Sequence, residues 1–364
     1  MNPKHFALLA GAALASIVLA IATYSASQPW TAAVPGNAKL FSGLSGEAGK
    51  ISGIEVTQGA STVRLERKGE AWTLKERSGF PANTEKVRAL LIAVTEAELV
   101  EAKTRKPDRY GVLEVEEPID KGANSRLLKL IDEKGAAIAD VIVGKKRLDA
   151  FGSGKAGTYI RKPGDAQSWL VNAPIDAPVR VKDWIKSRVF ETQADKIRRI
   201  VLEMPGEQPI EIEWDATKKR PQLKDIPAGK KVKYANSIDD IQEALSAFDI
   251  EDVRKMPDTP SGDNVSTARV EIEGGLKVAF KIRKSADGDW LSLAATGEGD
   301  TAKFAEALTS GAAGWEFKLP KAKAGDVLKT RADLLEVPAV TEPGPGAAVG
   351  PAAPNPGEPK PGSP

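Results

Sequence analysis

The stretch that decides the fold is "ISGIEVTQGASTVRLERKGEAWTLKE" (residues 51–76), because residues 197–225, "IRRIVLEMPGEQPIEIEWDATKKRPQLKD", follow the same plan. Polar and apolar residues alternate with period two in both, the pattern of antiparallel strands with one solvated face. Val63 and Leu65 correspond to Ile210 and Ile212, Leu74 to Leu223, and Ile54 and Val56 to Val201 or its neighbours. A helical stretch follows each: "ANTEKVRALLIAVTEAELVEAKT" (residues 82–104) and "ANSIDDIQEALSAFDIEDVRKM" (residues 235–256). Asn83 pairs with Asn236 and Thr84 with Ser237 as helix-start residues. Val87, Leu91 and Val94 match Ile241, Leu245 and Phe248 at helical spacing, which predicts one buried stripe. A short strand around Leu99-Val100, or Val253, closes each unit.

Each half continues as a meander. In the first, "RLLKLIDEKGAAIADVIVGKK" leads to "GTYIRKPGDAQSWLV"; in the second, "ARVEIEGGLKVAFKIRKSADGDWLSL" compresses the plan, with Trp169 matching Trp290. Turn residues separate the strands at Asp132-Glu133-Lys134-Gly135, Pro163-Gly164-Asp165 and Asp287-Gly288-Asp289. The expected fold class is α+β: two duplicated lobes, each a curved antiparallel sheet with one main helix, preceded by a transmembrane helix. The lobes are residues 38–192 and 193–337, after an anchor or signal segment (1–30) and before a tail (338–364).

The segment "MNPKHFALLAGAALASIVLAIATYSASQPW" (residues 1–30) carries Lys4 and His5, then runs apolar from Phe6 to Ala22, with Tyr24 and Trp30 suited to a membrane–water interface. As a helix, Phe6 to Tyr24 would rise roughly 28 Å, close to the hydrocarbon thickness of a bilayer. Cations precede the span and no charge follows before Lys39, so positive-inside bias puts the N-terminus in the cytoplasm and the remainder outside. The competing reading is a cleaved signal peptide with Ser25-Ala26-Ser27 at the cleavage site. Both export the folded part. The tail (Pro338–Pro364) is dominated by Pro, Gly and Ala and predicts disorder, with a polyproline ligand as the alternative.

Composition narrows the chemistry. Lys plus Arg number 52 against 50 Asp plus Glu, a balance that argues against a nucleic-acid partner. The short basic clusters Lys145-Lys146-Arg147 and Lys218-Lys219-Arg220 read as hairpin ends, with an anion site as the alternative. There is no cysteine, which excludes disulfides and thiolate chemistry, and the single histidine, His5, lies in the N-terminal segment. Histidine-based catalysis and histidine-ligated metals are therefore excluded from the folded part.

No catalytic, cofactor-binding or metal-ligating residue is assigned. The glycines of "VIVGKKRLDAFGSGKAGTYIRK" (residues 141–162) lack phosphate-loop spacing: Lys155 is followed by Ala156 and then by a strand, so the stretch reads as a long, flexible hairpin tip of the first lobe and at most a contact surface. Trp72, Trp169 and Trp290 read as core aromatics, and Trp214, between Glu213 and Asp215, as the exposed one. Asp239-Asp240 sits in a first helical turn where acids suit the dipole, and Glu116-Glu117 and Asp132-Glu133 are loop or turn residues rather than a glycosidase pair. "SADGDW" lacks the spacing of a calcium loop.

The strand–strand–helix halves behind an N-terminal apolar segment resemble the domain-of-unknown-function (DUF) 4340 family. The local signatures are "RYGVLEVEEP" (Arg109–Pro118), "GTYIRKPGDAQSWL" (residues 157–170) and "WEFKLPKAKAGDVLKTRADLL" (residues 315–335). Members often carry glycine where this chain has Glu114. The resemblance implies a bacterial envelope protein, held in the inner membrane by a single span, whose relatives are often encoded beside ABC-transporter permeases and gliding-motility-type auxiliary subunits. It carries over no catalytic residue. The expected function is a non-enzymatic accessory module presenting two lobes to a membrane complex. The alternatives are a cell-wall glycan-binding protein or carboxylate-dependent hydrolase, and a purely structural scaffold.

Overall fold

The computed structural model describes Ser16, residues 38–257 and residues 265–337. The apolar N-terminal segment (Ser16 apart) and the Pro-rich tail, on which two of the expectations above fall, lie outside these residues. Among the described residues no helix is long and apolar enough to cross a membrane.

The first stretch folds as three antiparallel strands. After β1 (Ala38–Lys39) come β2 (Ile51–Gln58), β3 (Ser61–Lys68) and β4 (Ala71–Leu74), then a short β5 (Phe80–Pro81). The helix α1 (Thr84–Glu96) and the strand β6 (Glu98–Ala102) follow. The meander is β7 (Arg126–Asp132), β8 (Ala137–Arg147), β9 (Gly157–Arg161) and β10 (Ser168–Val171). These form one sheet in the order β1-β6-β10-β9-β8-β7-β2-β3-β4-β5.

A linking segment with β11 (Arg188–Glu191) leads to β12 (Ile197–Glu203), β13 (Ile210–Asp215), β14 (Arg220–Leu223) and β15 (Lys231–Val232). Then come α2 (Ser237–Ser246), β16 (Ala247–Asp249), β17 (Asp252–Lys255), β18 (Val265–Ile272), β19 (Leu276–Ser285) and β20 (Gly288–Thr296). The described residues finish with α3 (Ala302–Ala312), β21 (Trp315–Lys318), α4 (Lys321–Val327) and β22 (Leu335–Glu336). The second large sheet runs β14-β13-β12-β18-β19-β20-β21-β17. Read from β4 to β6, the first sheet has the same order, strand for strand. The molecule is α+β, built mainly of antiparallel sheet.

The register reproduces the residue matches. Ile54 pairs with Leu65 and Val56 with Val63, as Ile200 pairs with Ile212 and Leu202 with Ile210. Leu65 then meets Leu74, as Ile212 meets Leu223. The partners of Ile54 and Val56 are therefore Ile200 and Leu202; Val201 itself points to the other face and is half-buried. Each row is buried because period-two strands put alternate residues on one face.

Three expectations need correction. The buried stripe of α1 is Val87, Leu90 and Val94, with Leu91 half-buried. Phe248 is buried but lies beyond α2, because Ala247 turns to extended backbone (φ −148) and starts β16, which pairs with β11. Trp169 and Trp290 are not equivalent: Trp169 is on β10, whose counterpart in strand order is β21, whereas Trp290 is on β20, the counterpart of β9. The offset arises because α3 fills the β20–β21 connection where the first sheet has only the Pro163-Gly164-Asp165 turn, so the second sheet carries more than one helix.

Candidate functional site

The two large sheets meet near their β5 and β21–β17 edges. Phe80 on β5 packs edge-on against Trp315 (ring centroids 4.9 Å) and Phe317 (6.1 Å) of β21. Beside this contact, the Arg77 guanidinium grips the Asp252 carboxylate of β17 through two bonds, of 2.5 and 2.8 Å. The indole side of the junction continues as a cation stack: Arg254 lies 3.6 Å from the Trp290 ring centroid, and Arg254 and Arg283 both hold the buried carboxylate of Glu316.

A cleft of about 690 Å³ opens at this junction. One wall is Phe80, Pro81 and the first turn of α1; the other is the small-residue face of α3 around Leu308 and Gly311, with Trp315, Phe317 and Leu293 behind it. The charges at its mouth are mostly engaged. Asn83 Oδ1 accepts from the backbone N–H of Glu85 (3.1 Å) and Lys86 (3.4 Å), closing the helix end to an anion. Arg188 is held by Asp249 through bonds of 3.0 and 2.9 Å and by Glu191 at 2.7 Å. The hydrogen bonds from Arg188 keep the Asp249 carboxyl below its usual range. What remains is a largely apolar, aromatic slot with Glu85 and Lys186 at its rim, suited to an apolar chain segment.

The sequence did not single out this slot, since Phe80 and Trp315 are far apart in the chain and meet only when two sheets dock. The signals it did offer are placed elsewhere. Trp72 and Trp290 are buried, but Trp169, expected in the core, is half-buried, and so is Trp214, expected exposed, which lies under the Arg198 guanidinium at 5.3 Å. Asp239 is paired with Arg220, and Asp132 Oδ1 accepts from Lys134 N and Ala136 N of its turn. Glu116 Oε1 accepts from the backbone of Asn124 and Ser125, while Glu117 turns to Arg161. In "SADGDW" Asp287 accepts from the Trp290 indole at 3.0 Å. No group of three or more potential metal-ligating side chains occurs among the described residues.

Two of the local signatures form one staple. Arg161, in "GTYIRKPGDAQSWL", has a side chain only 4% exposed and lies 4.6 Å from the ring centroid of Tyr110, in "RYGVLEVEEP". It donates to Val115 O (2.8 Å), Asp165 O (3.1 Å) and Glu117 (2.6 Å). Tyr110 OH in turn donates to Ala166 O at 2.6 Å. Glu114 ends the one-turn helix Tyr110–Leu113 at φ 57, left-handed backbone that favours glycine. The glycines of the hairpin have structural roles too: a Cβ on Gly144 would sit 2.4 Å from Leu113 O.

The chain matches the family described as "Domain of unknown function (DUF4340)" over residues 72–268, from β4 into β18. No curated protein and no solved structure matches it.

Proposed function

The chain belongs to the DUF4340 family, and from that premise we propose that it is a non-catalytic, membrane-anchored extracytoplasmic module that binds an apolar segment of a membrane-complex partner between its two sheets. The observation that carries this reading is the cleft itself: its walls are largely aromatic and aliphatic, with polar residues such as Thr84, Glu85, Lys186 and Ser310 among them, and the nearest helix N-terminus and arginine are already satisfied from within the chain. The apolar run from Phe6 to Ala22 supports the anchor, and the family resemblance suggests an ABC-type transporter complex as the partner.

The test places a photo-crosslinking residue at Leu308, inside the cleft, and at Lys219, on the β13–β14 turn, in the full-length protein in its native membranes. A discrete adduct from position 308 that is missing from position 219 is expected, and it should weaken with Trp315→Ala. Equal labelling from both positions would remove the cleft from the binding surface, and no adduct from either would remove the partner.

A further inference from the structure

The β8–β9 hairpin tip, residues 148–156, is a formed turn. Gly154 N donates to Asp149 Oδ1 at 2.8 Å, Lys155 N to Gly152 O at 3.0 Å and Phe151 N to Lys155 O at 3.3 Å. Asp149 and Ser153 take left-handed backbone (φ 51 and 54) to make it. On this frame the tip displays Leu148, 81% exposed, and Phe151, 36% exposed. Around them Lys145, Lys146, Arg147 and Lys155 are all exposed. Lys146 reaches exposed Asp176 at 3.1 Å, and the acid within the tip, Asp149, is bonded inward to Gly154. Apolar side chains in water, ringed by cations, are the composition of an interfacial membrane contact.

Position is the second observation. Phe151 and Lys155 share a recess of about 580 Å³ with Val100, itself 44% exposed, and Asn172. Val100 follows Leu99, the residue with which Ala38 pairs as the chain enters β1. Only seven residues separate Trp30 from Ala38, a reach of about 25 Å at full extension. The tip therefore stands beside the point where the chain arrives from its apolar N-terminal segment.

We propose that the β8–β9 tip, with Val100 beside it, rests on the anionic lipid surface of the membrane that residues 6–22 enter. Leu148 and Phe151 sit at headgroup depth, and Lys145, Arg147 and Lys155 meet lipid phosphates. The inference rests on the anchored reading above. The anchor keeps the tip at high local concentration over the bilayer, so a contact too weak to recruit a free protein is enough to orient this one. It also leaves the cleft free, because β5 lies five strands beyond β8 and six beyond β9 in the first sheet, up to about 29 Å away by strand spacing.

The chain has no cysteine, so Leu148→Cys and Thr217→Cys each create one labelling site, the second on the exposed β13–β14 turn. The full-length protein is reconstituted into vesicles of mixed phosphatidylcholine and phosphatidylglycerol and labelled with an environment-sensitive fluorophore. At position 148 a blue-shifted emission quenched by brominated lipid is expected, and at position 217 neither. Adding Lys145→Glu and Lys155→Glu should lower tip–lipid partitioning by about fivefold or more per charge, and vesicles of phosphatidylcholine alone should weaken quenching in the same direction. A label at 148 that stays in water, on protein that resists carbonate extraction, overturns the tip contact while the anchor stands. Protein extracted by carbonate overturns the anchor, and the tip contact with it.

Discussion

Replacing Arg161 by Met tests whether the family signatures are there for structure. The guanidinium is almost wholly buried, and each of its four contacts has a separable value. Glu117 is 55% exposed and returns to water when its partner goes, so that pair contributes under about 1 kcal/mol. The carbonyl of Asp165, an exposed residue, is likewise rehydrated. The carbonyl of Val115 belongs to a fully buried residue, and leaving it without a donor costs about 1–3 kcal/mol. Loss of the cation over the Tyr110 ring adds about 0.5–2 kcal/mol. Arg161→Met should therefore destabilise by about 2–5 kcal/mol, whereas Glu117→Gln should cost under about 1 kcal/mol. Denaturant unfolding gives the totals. Hydrogen exchange locates them: the amides of Glu114 and Val115, bonded to Gly111 O and Tyr110 O, should lose protection first. Equal losses for the two variants, or unchanged exchange at 114–115 in Arg161→Met, would refute the staple.

Glycine changes on either side of the same loop should have opposite signs. Glu114→Gly relieves left-handed strain and should be neutral or raise stability by up to about 1 kcal/mol, while Gly144→Ala drives a methyl into Leu113 O and should cost about 1–3 kcal/mol, both read as melting temperatures. Asp252→Ala removes the two-point grip of Arg77 and should cost about 1–3 kcal/mol, with hydrogen exchange rising at 77–82 and 252–255 together. Hydrogen bonds to Thr330 hold Asp333 below the usual carboxylate range, bonds to Trp290 and Ser285 do so for Asp287, and the Arg188 bond does so for Asp249. Groups depressed in the folded state stabilise it above their unfolded values and lose that contribution as pH falls. Stability should therefore hold at neutral pH and decline below about pH 4, less steeply in Asp333→Asn, as followed by unfolding at stepped pH.

How much was legible in the sequence follows from the range of each interaction. The alternation of neighbouring strands was legible: the Val63–Ile210, Leu65–Ile212 and Leu74–Leu223 matches recur in both registers because period-two burial fixes the face, while the match of Ile54 and Val56 to Val201 was one residue off, falling on its neighbours Ile200 and Leu202. Helix ends were less legible. Asn83 caps α1 with its side chain but Asn236 does not cap α2, and Phe248, at a helical interval from Leu245, belongs to a strand. Periodicity cannot see where backbone turns extended. The match of Trp169 with Trp290 failed for a related reason, since α3 shifts the strand count and only topology reveals it. The cleft was invisible altogether: Phe80 and Trp315 belong to different sheets, and neither carries a local signal of the other.

The family signatures are conspicuous for what they do inside the fold. Arg161 and Tyr110 close a loop onto β8–β10, Glu114 occupies a backbone position made for glycine, and Glu316 is buried between two arginines behind the cleft. Such residues build a scaffold and leave its specificity to surfaces that face outward. On this scaffold the outward surfaces differ in kind. The slot at the β5 edge is largely apolar with Glu85 and Lys186 at its rim, and the β8–β9 tip is apolar with its cations exposed. An apolar slot discriminates by shape and favours a protein segment, whereas exposed cations around Leu148 discriminate by charge and favour an anionic plane. The tip and the slot lie five to six strands apart on one sheet, so the anchored arrangement proposed above would let the tip rest on lipid while the cleft stays open.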